Sequence, residues 1–327
     1  MAHTLSPENA SASAIGAKRV ATLIASATEI VSALGCRDWI VGRSHECDYP
    51  SGIGAVPVLT EPKFAVHADS GEIDRHIKAI VEEGTSVYRV YSERLKELSP
   101  DVIVTQDHCE VCAVSLKDVE QAICNWTGHD IHVVSCRPNA LGDVWADIRR
   151  IADALGVPDA GDRMVFDMQS RMNAIAARAA RARHRPRVLC IEWIDPLMAA
   201  ADWMPELVEL AGGVSLLGTA GKHSEWITWE NAVAAEPDVI VVMPCGFDIA
   251  RASADMPMLE DRPGFGGLKA VREGRVAVVD GNQYFNRPGP RLADSLEILA
   301  EILHPELFDF GHYGEGWMAW PDAATFA

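Results

Sequence analysis

The sequence contains the same strand unit twice. The pentapeptide Pro-Asp-Val-Ile-Val occupies residues 100–104 and 237–241, and a cysteine follows each copy, Cys109 and Cys245. A short Val and Ile run without alternating polar residues is typical of a strand covered on both faces, as in a parallel sheet between helices. Two copies far apart predict an α/β fold with two similar lobes. Open α/β sheets bind ligands at the carboxyl ends of their parallel strands, so the loops after these strands are the predicted site.

The helix and strand patterns divide the chain into two lobes, a helical linker between them and a segment at each end. The predicted divisions are a disordered lead-in (1–18), an N-terminal α/β lobe (19–138), a helical linker (139–185), a C-terminal α/β lobe (186–303) and an aromatic tail (304–327). Within the linker, the run from Asp159 to Arg183 has no glycine or proline after Gly161, which predicts one helix of roughly 35 Å. Ser26 and Glu29 have the spacing of a capping box at the start of the first helix.

Charge and hydropathy exclude several kinds of partner. The 327 residues carry a formal net charge of −18, which argues against nucleic acid or an anionic membrane surface. No segment approaches the roughly 20 apolar residues of a membrane span. The stretch 1–18 has neither the basic nor the apolar region of a secretory signal. We therefore expect a cytoplasmic protein that is not inserted in a membrane.

The eight cysteines fall into two groups. The first lies within apolar patterns and is expected in the core: Cys36, Cys124, Cys136 and Cys190. The second follows strand ends: Cys47, Cys109, Cys112 and Cys245. With His45, the second group makes a set of candidate metal ligands, because thiolates and imidazoles bind zinc and softer metals. Cys-x-x-Cys also serves thiol redox chemistry, so a metal or cluster, unliganded thiols lining a cleft and catalytic redox all stay open.

Aromatic residues crowd the predicted cleft loops. They offer flat apolar area for a large planar ligand. The candidate ligand-binding residues are Tyr49, Trp193, Trp203, Trp226, Phe247 and Tyr284. Trp229 and Phe285 are expected in the core instead. The sequence has no Gly-rich phosphate loop, nucleophile elbow or His-Glu-x-x-His stretch, which favours binding over catalysis and leaves the question of an enzyme open.

With these residues in view, the chain resembles the helical-backbone (class III) periplasmic binding proteins of cobalamin and iron-siderophore ABC importers, and among them most of all the cobalamin-binding members. The similarity covers about residues 19–303. The matching stretches are Arg19–Gly35, Asp48–Pro50, Leu95–Val104, Pro205–Gly213, Trp226–Val241 and Arg287–Leu299. The two loops that carry Cys47 and Cys109 have no counterpart in the cobalamin-binding members.

The resemblance implies two parallel-sheet lobes of three layers, bridged by one long rigid helix, with the ligand in the cleft between them. It implies further that Tyr49, Trp193, Trp226 and Tyr284 face a corrin ring. The leading hypothesis is a cytoplasmic variant that binds cobalamin, another corrinoid or a related metal chelate, with cysteine or histidine contact to the metal. An ABC permease is a partner if the chain is exported.

The alternative hypothesis is a metal- or iron–sulfur-dependent enzyme, or a redox protein, built on the same scaffold. It would use the second cysteine group, with Cys245 as the least certain ligand.

Overall fold

The computed structural model describes residues 16–64, 68–83, 86–107, 116–123 and 131–321. The strands of the N-terminal half are β1 (Val20–Thr22), β2 (Ile40–Arg43), β3 (Thr60–Pro62), β4 (Tyr88–Val90), β5 (Val102–Gln106) and β6 (His132–Cys136). Its helices are α1 (Ala25–Val31), α2 (Ser70–Glu82), α3 (Ser92–Leu98), α4 (Leu116–Ile123), α5 (Leu141–Leu155) and α6 (Pro158–Ala179).

In the C-terminal half the strands are β7 (Arg187–Trp193), β8 (Met198–Ala199), β9 (Val214–Ser215), β10 (Glu225–Trp226), β11 (Val239–Val242), β12 (Val276–Val279) and β13 (Trp317–Trp320). The helices are α7 (Met204–Leu210), α8 (Trp229–Ala234), α9 (Ile249–Asp255), α10 (Pro257–Glu260), α11 (Lys269–Arg272) and α12 (Leu292–Leu303).

The repeated pentapeptide forms the buried strands that the sequence predicts. The N-terminal sheet has the order β2-β1-β5-β6, and all its pairs are parallel. In the C-terminal sheet β7, β11 and β12 run parallel at the centre. The first copy contributes β5 and the second contributes β11, and both strands are buried along their whole length. The α/β fold with two lobes is therefore confirmed.

The described part of the aromatic tail belongs to the C-terminal sheet. Strand β13 pairs antiparallel with β12, with Trp317 opposite Val279 and Trp320 opposite Val276. Phe308 is buried in the hydrophobic core. The sequence offered no role for these residues, because four apolar residues after a Gly-containing loop do not identify the strand with which they pair.

A long helix bridges the lobes. Helix α6 has 22 residues and spans roughly 33 Å at 1.5 Å per residue. The helix starts at Pro158 and ends at Ala179, four residues before the predicted end at Arg183. Pro186 follows soon after, and the residue that precedes a proline disfavours helical conformation. Its apolar face joins one continuous core with both lobes. Arg171 on its surface contacts Asp294 and Glu297 of α12 at 2.6 and 2.7 Å.

The predicted capping box at the first helix is wrong. Ile24 occupies the N-cap of α1 without a side-chain cap, and Ser26 and Glu29 are buried within the helix. Glu29 points instead toward two arginines of the C-terminal lobe. Charge-assisted bonds to guanidinium groups are stronger than a neutral cap, so tertiary contacts override the local pattern.

The lobes also meet through α2. Asp69 caps this helix by accepting a hydrogen bond from the Glu72 backbone N–H at 2.8 Å. The Ser70 N–H donates to the Asp255 carboxylate of the C-terminal lobe at 2.9 Å, and Ile73 packs into that lobe's core. Helix α2 therefore braces one side of the cleft.

Among the described residues, no helix combines the length and apolar character needed to cross a bilayer.

Candidate functional site

A cavity of about 120 Å³ lies between the lobes and is partly open to solvent. The N-terminal lobe lines it with Ile24, Glu46 and Cys136, among others, and the C-terminal lobe with Glu192 and Trp203, among others. Pockets for drug-sized ligands measure roughly 300–1,000 Å³. The cavity therefore has room for one edge of a large chelate, with the rest of such a ligand outside it.

Four charged residues join the lobes beside this cavity. We call them the inter-lobe latch: Glu29, Asp48, Arg287 and Arg291. The Glu29 carboxylate accepts hydrogen bonds from Arg291 Nε at 2.9 Å and from Arg291 Nη2 at 2.6 Å. Both side chains are buried. Two parallel bonds between planar groups fix orientation as well as distance.

The second arginine of the latch reaches two acidic residues of the N-terminal lobe. Arg287 donates to the two Asp48 carboxylate oxygens at 2.5 and 3.0 Å and to Glu29 Oε1 at 3.2 Å. Burial lowers the pKa of Arg287, but the Asp48 and Glu29 carboxylates outweigh it and hold that pKa above its ordinary value. Arg287 lines the cavity with its charge already paired.

Two tyrosines accompany Arg291. Its guanidinium lies 4.2 Å from the ring centre of Tyr49 and 5.5 Å from that of Tyr284. The Tyr49 ring remains 45% exposed. Because Tyr49 belongs to the N-terminal lobe and Tyr284 to the other lobe, these cation–π contacts extend the latch to the rim of the cleft.

Four acidic residues are among those that line the cavity: Glu46, Asp147, Glu192 and Asp202. Burial raises the pKa of Glu46 to about 7, with Arg287 lowering it and Asp48 raising it further. The Ser224 hydroxyl donates a hydrogen bond to Glu192 at 2.5 Å. Asp202 is buried, and its Oδ2 lies 3.8 Å from His223 Nδ1.

The candidate metal ligands occupy different environments. Cys47 is buried, and its sulfur accepts a hydrogen bond from the Thr28 hydroxyl at 2.9 Å. Burial raises the pKa of Cys47 to about 11, so its thiol is protonated at neutral pH. Cys245 is half-buried and lines the cavity. Cys109 and Cys112 lie outside the described residues, as does Cys124 of the predicted core group.

His45 faces its own lobe. Its Nδ1 lies 2.8 Å from the Thr60 hydroxyl oxygen. Burial and the neighbouring Arg43 lower the pKa of His45 to about 4, so the ring is neutral at physiological pH. Within the described ranges, no group of three or more His, Cys, Asp or Glu side chains is arranged to hold a metal ion. A site that uses Cys109 and Cys112 stays a prediction.

The predicted aromatic residues separate into interior and rim. Trp203 lines the cavity and donates its indole N–H to the Phe285 carbonyl at 3.1 Å. Trp193 is half-buried, 5.3 Å from the ring of Phe247. Phe247 is only 1% exposed and lies under the Arg251 guanidinium at 3.7 Å. Its ring therefore packs in the core and, contrary to the expectation, presents no face to the cleft.

Trp226 lies on the outside of the lobe contact. Its ring is 51% exposed, and the Lys78 ammonium of α2 lies 5.5 Å from its centre. Trp229 and Phe285 are buried in the core, as predicted.

The sequence did not indicate that the charged residues of the latch and of the cavity would come together. The latch residues and the cavity carboxylates come from helices and loops far apart in the chain. One local signal was present in the segment 287–291, Arg-Pro-Gly-Pro-Arg, in which two prolines restrict the backbone between the two arginines.

Comparison with known proteins identifies the family. A family model described as periplasmic binding protein matches residues 20–282, and the chain belongs to that family. An uncharacterized ABC transporter substrate-binding lipoprotein of Bacillus subtilis, YvrC, is 26% identical over 296 residues, which cover 89% of this chain and 81% of that protein.

Solved structures show the same fold. A periplasmic heme-binding protein from Pseudomonas aeruginosa superposes with a TM-score of 0.69 at 20% identity, covering 92% of this chain and 97% of that one. The periplasmic vitamin B12-binding protein BtuF of Vibrio cholerae gives a TM-score of 0.62 at 18% identity, covering 88% and 97%.

Proposed function

We propose that this chain is the substrate-binding protein of an ABC importer and that its ligand is a corrinoid or a related metal chelate. The observation that carries the proposal is the cavity between the lobes, to which both sheets contribute lining residues at the carboxyl ends of their strands. The family and the named ligands of its structural relatives support the same class of ligand.

The cavity volume suggests how such a ligand is held. One edge of the chelate enters the cavity beside Trp203, and the remainder lies along the open cleft toward the exposed Tyr49 ring. Aromatic faces supply apolar contact area to a flat macrocycle. The latch fixes both lobes before the ligand arrives, which reduces the ordering cost of binding.

Titration with cyanocobalamin tests this proposal. Binding beside Trp203 and Trp193 is expected to quench tryptophan fluorescence and to shift the visible spectrum of the corrinoid. Lysozyme at the same concentration and absorbance controls for the inner-filter effect. Absence of both changes at tens of micromolar, with hemin and a ferric siderophore equally silent, would remove the proposal.

The metal- or cluster-dependent enzyme is a weaker candidate. The protonated, buried thiol of Cys47 is a poor ligand as it stands, since metals bind the thiolate. A visible spectrum and metal analysis of anaerobically purified protein decide the matter. A stoichiometric metal that is lost in C109A/C112A would favour this alternative over the binding protein.

Two further parts of the account stay predictions. The permease partner is tested by co-purification of this chain with any ABC permease that is encoded beside its gene. Localisation is tested by fractionation of the native host that expresses the full-length gene.

A further inference from the structure

A short segment after β12 brings two asparagines to the cavity wall. Asn282 lies within the helical segment Gly281–Phe285, Asn286 directly follows it, and both residues line the cavity. The amide of Asn282 is used on both sides, because its nitrogen donates to Asp48 at 3.3 Å and its oxygen accepts from Arg287 at 2.9 Å. The amide of Asn286 is held in a different way.

The backbone fixes the orientation of the Asn286 amide. Its Nδ2 donates to the Met243 carbonyl at 3.1 Å and to the Gly281 carbonyl at 2.8 Å, which uses both N–H groups of the side chain. A flipped amide would place Oδ1 against two carbonyl oxygens, so the observed orientation is the one that the surroundings allow. Within the described ranges, the structure gives Oδ1 no hydrogen-bond donor. This oxygen is therefore the polar atom that Asn286 can offer to a ligand.

The two carbonyls that hold this amide are rigid. Met243 follows β11 and Gly281 follows β12, so the Asn286 side chain is fixed at the carboxyl ends of two neighbouring parallel strands. A Cβ atom at Gly281 would lie 2.8 Å from the Met243 carbonyl oxygen, closer than real Cβ atoms approach, so the two loops are in direct contact. An acceptor held in this way loses little freedom when a ligand binds to it.

Apolar side chains share the cavity with this acceptor. Ile24, Ile30 and Trp203 line it, and the Trp203 indole N–H is already donated to the Phe285 carbonyl. A hydrogen bond is stronger in apolar surroundings, and an acceptor that is covered without a donor is costly. A ligand that enters the cavity and covers Oδ1 therefore loses affinity unless it supplies a donor.

We propose that Asn286 is a specificity-determining residue whose Oδ1 accepts a hydrogen bond from a neutral amide N–H on the edge of the bound chelate. The inference rests on the proposed function and names the chemical group that enters the cavity. A corrinoid carries neutral amides around its ring. The ionised carboxylates of heme are acceptors only and would meet Oδ1 without a hydrogen between them.

Ligands that differ only in amide donors test the inference without a substitution in the protein. One pair is dicyanocobyrinic acid heptaamide with the corresponding heptamethyl ester, and the other is iron protoporphyrin IX diamide with its dimethyl ester. No side chain of these four ligands is charged. Spectrophotometric titrations at pH 7.5 are expected to show the amide member of at least one pair binding about five-fold or more tighter than the ester. The pair that shows this preference identifies the macrocycle.

The variant N286A assigns the preference to one residue. It should reduce the amide-to-ester affinity ratio about three-fold or more and should bind cyanocobalamin about five-fold more weakly than wild type. The matched control N231A changes an exposed asparagine of α8 that does not line the cavity, and it should leave both quantities unchanged. Because N286A also loses two bonds to the backbone, thermal unfolding must show that it is folded during titration. If it is not folded, the wild-type ratio alone decides.

The outcomes separate the inference from the function on which it rests. Equal or tighter binding of the ester members by wild type, or an unchanged ratio in folded N286A, overturns the role of Asn286 and leaves the chelate-binding function standing. Failure of all four ligands and of cyanocobalamin to bind overturns the proposed function and the inference with it.

Discussion

Glu29 and Arg291 form a buried, two-pronged ion pair between residues 262 positions apart in the chain, with bonds of 2.9 and 2.6 Å. Glu29 lies in the first helix of the N-terminal lobe, and Arg291 directly precedes α12 of the C-terminal lobe. The pair therefore ties the two lobes together beside the cavity. Because both side chains are buried, removing one of them would leave the charge of the other without its counter-ion between the lobes.

Removal of one partner should be costly. We expect E29A to lower the free energy of unfolding by about 3–5 kcal/mol, because Arg291 would stay buried without its counter-ion. Urea unfolding of the purified variant measures the change. The control D162A breaks the exposed pair with Arg149 and should cost about 1 kcal/mol or less. Equal costs for the two variants would contradict a structural latch.

The double variant E29M/R291M distinguishes charge from packing. Apolar side chains of similar length leave no uncompensated charge at this position, and Arg287 keeps its bonds to Asp48. We expect the double variant to recover at least half of the stability that E29A loses. A double variant less stable than E29A would contradict this reasoning.

The half-buried His45 should make stability depend on pH. The pKa of His45 is about 4 in the fold against 6.5 ordinarily, so below pH 6.5 the unfolded chain binds a proton that the folded chain refuses. Stability is therefore lost as the pH falls from about 7 toward 4. Between pH 7.5 and 5 we expect wild type to lose about 1–2 kcal/mol more than H45N, in which the amide can still meet Thr60. Parallel urea curves at both pH values check this, and identical losses in the two proteins would contradict it.

Thiol labelling should single out Cys245. In a C109S/C112S/C124S background the remaining cysteines other than Cys245 are buried, and burial raises the pKa of Cys47 to about 11. We expect one thiol to react with an aromatic disulfide reagent at pH 8 at least ten-fold faster than the rest. The fast phase should disappear in C245S and should slow when a chelate occupies the cavity. Two or more fast thiols would contradict the burial of the other cysteines.

Two aromatic substitutions should affect different properties, one the stability of the fold and the other the affinity for the ligand. F247A is expected to lower stability by about 3–5 kcal/mol, since it empties a fully buried site. Y49A removes a ring that is 45% exposed at the cleft rim, and its main effect should be a loss of chelate affinity of about ten-fold. Unfolding and binding measurements on both variants check this. A pure affinity loss in F247A would contradict its place in the core.

The sequence predicted the fold through features that are local and periodic. The repeated pentapeptide identified β5 and β11 because a strand covered on both faces leaves a continuous apolar run. The absence of glycine and proline between Gly161 and Arg183 identified α6, although the helix ends at Ala179. These signals do not depend on distant parts of the chain.

The site was harder to predict because it depends on contacts between the lobes. The spacing of Ser26 and Glu29 suggested a cap, and only the fold brings Glu29 to Arg291 and Arg287. Phe247 follows a strand end like a cleft residue, yet Arg251 and the surrounding core cover it. The metal-ligand prediction depends on Cys109 and Cys112, which lie outside the described residues.

Calorimetric titration of wild type and C245W with cyanocobalamin tests the central claim most directly. Cys245 lines the cavity and is half-buried, so an indole there fills the space without replacing a core side chain. The account predicts one corrinoid per wild-type chain with a dissociation constant of about 10 μM or tighter, and at least ten-fold weaker binding to C245W at unchanged stability. Equal binding of the corrinoid to both proteins would contradict a ligand site in the inter-lobe cavity.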